Sequence, residues 1–86
     1  MPRISAFYGI VVYLYARDHD PAHVHARYGD DWAVVEIEQG TVTAGHLRRP
    51  QAALVATWVK AHGEELAEAW ERANSGEPPG TIDPLP

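Results

Sequence analysis

The apolar pattern of the chain is densest in Ile10-Val11-Val12-Tyr13-Leu14-Tyr15, a run of β-branched and aromatic residues that leaves both faces apolar. Such a run predicts a central strand, covered on two sides. It breaks at Asp18-His19-Asp20-Pro21, where proline fixes φ and the aspartates favour turns. From His23 to Tyr28 the pattern alternates, and it alternates again from Trp32 to Glu38, so two half-buried strands are predicted around a hairpin at Gly29-Asp30-Asp31. A two-residue loop at Asp30-Asp31 pairs Tyr28 with Ala33, Ala26 with Val35 and Val24 with Ile37. The opposite face then holds His23, His25 and Arg27 beside Val34, Glu36 and Glu38. A three-residue loop would turn the imidazoles into the core, because a one-residue slip swaps faces; the apolar pattern selects the shorter loop. Gln39-Gly40 suits a second tight turn, after which Val42 and Ala44 continue the apolar face.

From Pro50 the period becomes helical, with proline in its favoured place at a helix start. Leu54, Val55, Trp58, His62, Leu66, Ala69, Trp70 and Ala73 follow the spacing of one buried stripe. Gly63, followed by Glu64 and Glu65, suits a break and a fresh N-terminus, while the unbroken period suits one bent helix. Both readings stand. Ser75-Gly76 ends the helical pattern, and residues 77–86 hold four of the seven prolines, so that stretch is expected to be extended. The fold class that follows is α+β: a three- to four-stranded antiparallel meander with one long or two short C-terminal helices on one face. Residues 1–76 form a single domain and 77–86 an extended proline-rich tail.

An 86-residue chain has a thin stability margin, and small scaffolds often make up the deficit by oligomerising. Three tryptophans and four tyrosines give it large groups to bury, and a homodimer is expected. With no cysteine there is neither a disulfide nor a thiolate metal site, which fits a reducing cytoplasm. The apolar run from Ala6 to Ala16 is too short to span a bilayer, and the N-terminus lacks secretory-signal features, so no membrane is expected. The net charge of −5 is concentrated late: residues 63–86 carry six acids and one arginine. That imbalance argues against generic nucleic-acid binding, and RNA is not indicated as a partner. A local basic face from Arg17, Arg27, Arg48 and Arg49 remains compatible with it.

Three of the five histidines, His19, His23 and His25, fall within seven residues. Histidine titrates nearest neutrality, and its neutral ring is the commonest metal ligand. His23 and His25, two apart on a strand, share a face, with Glu36 and Glu38 in cross-strand reach. Two chemistries follow from this cluster. His19, His23 and His25 could ligate zinc, nickel or copper, or they could act as general acid and base with Arg27 or Arg17 holding an anion. Ordinary surface pairing, with Asp18 or Asp20 capping the turn, is the plain alternative. Trp58 and Trp70 are expected in the core, Trp32 at a rim or interface, and His46 and His62 as structural. No glycine-rich phosphate loop, nucleophile elbow or nucleotide fingerprint is present in the sequence.

The opening Pro2-Arg3-Ile4-Ser5-Ala6-Phe7-Tyr8-Gly9-Ile10-Val11-Val12-Tyr13 combines with Asp18-His19-Asp20-Pro21-Ala22-His23-Val24-His25 and Tyr28-Gly29. Together with Trp58, His62, Glu65-Leu66, Trp70 and Ile82-Asp83-Pro84-Leu85, these segments resemble the bacterial domain-of-unknown-function family numbered 4160 across essentially the whole chain. Ala22 stands where relatives usually have a second proline. The resemblance implies a small prokaryotic protein, often encoded beside another small protein, with a toxin–antitoxin association, and it brings no catalytic residues with it. Function is therefore expected to be partner binding through the histidine face, with a histidine- or metal-dependent hydrolase or ribonuclease as the rival.

Overall fold

In the computed structural model, which describes residues 2–86, five antiparallel strands follow one another in chain order and two helices follow the sheet. The strands are β1 (Arg3–Phe7), β2 (Ile10–Tyr13), β3 (His23–Tyr28), β4 (Asp31–Glu36) and β5 (Val42–Gly45). The helices are α1 (Arg49–Ala61) and α2 (Gly63–Asn74). The α+β class stands, and the sheet has one or two strands more than the sequence pattern suggested. The additional strand is β1. It pairs with β2 through a two-residue turn at Tyr8-Gly9, with Phe7 opposite Ile10. Both turn residues have positive φ, 49° and 80°, the backbone a type I′ hairpin needs. Tyrosine at the first position hid that turn inside what looked like one apolar run.

The β3–β4 hairpin turns one residue earlier than the pattern predicted. Gly29, at φ 61°, takes the first loop position, and Asp30 the second. Tyr28 therefore pairs with Asp31, Ala26 with Ala33 and Val24 with Val35, in place of the expected Ala33, Val35 and Ile37. Moving the turn by one residue shifts each partner by two, so every side chain keeps its expected face. At the far edge, β5 is exposed at all four positions, so Val42 and Ala44 do not continue the buried face as expected. A register irregularity between Val34 and Val35 sets the ladder of this last strand.

Inside, Ile10, Val12, Val24, Ala26, Ala33 and Val35 meet Val55, Trp58 and Val59 of α1 and Leu66, Ala69 and Ala73 of α2, all essentially inaccessible. Each large aliphatic buried this way contributes roughly 1.5–3 kcal/mol against the entropy of ordering the chain. The helical stretch is two helices. His62, at φ −116° and ψ 27°, ends α1 and precedes α2, and Glu64 and Glu65 occupy the first turn of α2 as its dipole favours. The break rests on the His62 backbone, since Gly63 is already helical. Residues 77–86 contain neither helix nor strand and run back along the domain. The Ile82 amide donates to the Ile4 carbonyl at 2.8 Å, the buried Trp58 indole donates to the Asp83 carbonyl at 2.8 Å, and Ile82 is buried. No helix among the described residues is long and apolar enough to cross a membrane.

The helices cover one face of the sheet. On the other face the ladder aligns two rows across the strands: Ala6, Val11, Arg27 and Trp32 in one, and Arg3, Tyr13, His25, Val34 and Ala44 in the next.

Candidate functional site

Between β2 and β3 the chain crosses the end of the sheet through residues 14–22. Leu14 anchors this connection in the core, and Arg17, at φ 55°, turns it back. That reversal presents Asp18 to the first residues of β3. One carboxylate oxygen, Oδ1, accepts from the His19 backbone amide at 2.9 Å and meets His19 Nδ1 at 2.8 Å. The other, Oδ2, lies 2.8 Å from His23 Nε2 and 3.4 Å from His25 Nε2. Burial pushes the Asp18 carboxyl up, but hydrogen bonds from the side chain and backbone of His19, and from His25 and His23, outweigh it. The net effect holds the group well below the usual carboxylate range. Asp18 is therefore ionised at neutral pH.

His23 is the buried member of the group, with its side chain only 6% exposed. Its ring lies between His19, His25 and Trp70 of α2, with centroids 5.2, 5.3 and 5.1 Å away. Nδ1 contacts the Pro21 carbonyl oxygen at 2.7 Å. A carbonyl can only accept, so Nδ1 donates to it, and Nε2 is the nitrogen directed at Asp18. His25 is less covered and stands edge-on to Tyr15, 4.5 Å between centroids at 86°. Tyr15 stacks on Tyr13 in turn. Beyond them lies an open hollow of about 330 Å³ to which Tyr13, Tyr15, His25, Arg27, Asp30 and Trp32 contribute.

The structure thus brings together two of the three histidines singled out from sequence. His23 and His25 converge on one carboxylate oxygen, while His19 turns to the other and leaves its side chain 83% exposed. One oxygen or nitrogen from each of Asp18, His23 and His25 lies within 4.8 Å of the others. Arg27 is exposed, and its Nε donates to the Gly29 carbonyl at 3.1 Å, so it folds over its own hairpin turn beside the hollow. Arg48 sits near Asp31 at 3.7 Å, on the surface. His62 contacts Glu65 at 2.7 Å and Trp58 at the helix junction, a structural place, and His46 is exposed.

The carboxylate that meets the imidazoles comes from the connection, whereas the sequence pattern pointed to Glu36 or Glu38 across the ladder. Glu36 does face His23 in register, but both His23 nitrogens are directed elsewhere. Asp18 was legible only as a turn residue, equivalent to Asp20. Its proximity to His23, five residues on, was the one available signal.

A small meander sheet with helices on one face and an imidazole–carboxylate cluster at its end defines the class of domain. The family described as "Domain of unknown function (DUF4160)" matches residues 9–71, and the chain belongs to it. No curated protein and no solved structure matches the chain.

Proposed function

We propose that this protein is a component of a bacterial, cytoplasmic, toxin–antitoxin-like two-gene module and that it works by binding a small partner protein, encoded by the adjacent gene, on the open face of its sheet. The observation that carries this reading is the composition of that face. Its two central rows hold Trp32, Tyr13, His25 and two arginines, Arg3 and Arg27, and no carboxylate. Tryptophan, tyrosine and arginine are the residues that dominate binding energy at protein interfaces, and here they ring, with Asp30 on one side, a hollow able to seat a partner's side chain. Trp32 is 53% exposed, an unusual state for so large an apolar group. The partner that fits would bring acidic and apolar groups. A homodimer, the alternative occupant, would meet this face through its apolar groups, Trp32 and Tyr13. Co-expression with the adjacent gene product tests the reading: a stable complex is expected, and no complex with the neighbour together with no growth phenotype from either gene would contradict it.

A second reading, a histidine-dependent hydrolase or ribonuclease, is favoured by the convergence of Asp18, His23 and His25. With both His23 nitrogens engaged, the group meeting a substrate would be His25, at the margin of the hollow, and His23 would position it. Cleavage should then follow a bell-shaped pH–rate profile near neutrality. Full activity in both His23→Ala and His25→Ala would remove this reading.

A further inference from the structure

We propose that Asp18, His23 and His25 form a binding site for a divalent transition metal of the zinc, cobalt and nickel class, with His19 outside the ligand set. The site goes beyond the partner-binding reading and does not depend on it.

Because His23 Nδ1 donates to the Pro21 carbonyl, Nε2 is the nitrogen left to face Asp18 Oδ2, at 2.8 Å. Such a contact holds only when a positive centre sits between them. A metal ion placed between the two atoms would be that centre, with His25 Nε2 as its third donor. An imidazole whose far nitrogen is fixed by a backbone carbonyl is also how proteins orient ligating histidines, since the bond sets both the tautomer and the ring plane.

The distances agree. With metal–nitrogen and metal–oxygen bonds near 2.0–2.2 Å, donors on one edge of a tetrahedron lie about 3.4 Å apart. His25 Nε2 and Asp18 Oδ2 already stand at 3.4 Å, and the His23 pair would open by roughly half an ångström to match. Asp18 lies on a connection outside the strands, where such a shift disturbs no ladder hydrogen bond. The buried His23 is held by Trp70 and the neighbouring rings, so one ligand is fixed before an ion arrives. Two imidazoles and a carboxylate suit borderline ions, and magnesium, which prefers oxygen donors and keeps its water, should bind poorly. His19 Nδ1 is directed at the opposite carboxylate oxygen and does not join the other three donors. Three protein ligands leave a coordination position for water or for a group from a bound molecule.

Calorimetry on the untagged chain with zinc chloride, and absorption spectra with cobalt(II), test the proposal. One saturable site per chain is expected, with a raised melting temperature in excess zinc, because an ion held only by the folded state stabilises it. Asp18→Asn and His25→Ala, both at partly exposed positions and checked for folding by circular dichroism, should each weaken binding by about ten-fold or more, while His19→Ala and His46→Ala should change it by less than about two-fold. No saturable zinc heat and no cobalt d–d absorption would overturn the proposal. So would an affinity that falls in His19→Ala and survives in Asp18→Asn.

Discussion

Asp18 meets three imidazoles through its two oxygens and so ties the connection of residues 14–22 to the first residues of β3. The pH dependence follows from the direction of its shift. The folded carboxyl titrates below its unfolded value near 3.9, so the folded state binds fewer protons there, and the stabilisation is complete above about pH 4 and lost as pH falls through the folded value. In chelator-treated protein, Asp18→Asn should lower stability at neutral pH by on the order of 2 kcal/mol, the scale of hydrogen bonds to a charged group. Thermal melts should show the gap between the two proteins closing below about pH 4. A gap that is constant with pH would mean that the carboxylate's charge contributes nothing. At this scale the histidines were legible, because residues two apart on a strand share a face. Asp18 was not, because its position depends on the left-handed backbone at Arg17, which no local pattern announces.

The strands that set the open face depend on a few backbone positions. Gly45 closes β5 against β4 at φ 73°, where an added Cβ would collide with the Trp32 carbonyl oxygen and lie 2.9 Å from the Ala33 Cα. Gly45→Ala should therefore cost on the order of 2 kcal/mol or more, by loss of the β4–β5 ladder or displacement of the strand that carries Trp32. Chemical denaturation measures this, and a change within about 0.5 kcal/mol, the range of an ordinary surface substitution, would refute it. The alternating strands and the helical stripe were legible here, since periods of two and of three to four residues are the direct imprint of one covered face. The Tyr8-Gly9 turn was not, because tyrosine is no turn former; the pairing of β1 with β2 and a hydrogen bond from the Tyr8 hydroxyl to the Pro86 carbonyl accompany its positive φ. The exposure of β5 was equally hidden. Val42 and Ala44 look like one apolar face in sequence, but the irregularity between Val34 and Val35 pairs Val42 with Val35 and Ala44 with Val34, so Ala44 joins the open face, and both are exposed on this edge strand.

Across the whole molecule, the helices and residues 77–86 seal one side, and the uncovered side gathers the aromatic and basic residues that the sequence scatters from Arg3 to Trp32. The acidic C-terminal third, so prominent in the charge count, includes the outer surface of α2, away from that face. If the open face is where the protein works, removing its largest exposed group should leave the fold intact and remove the partner. Sedimentation velocity on the chain co-expressed with the adjacent gene product measures this directly. The wild type should sediment as a complex heavier than its own 9.5 kDa. Trp32→Ala, melting at the same temperature, should lose at least about 2 kcal/mol of binding, roughly thirty-fold, and release the partner. A wild-type chain that sediments alone at 9.5 kDa, or a Trp32→Ala complex as stable as the original, would contradict the account.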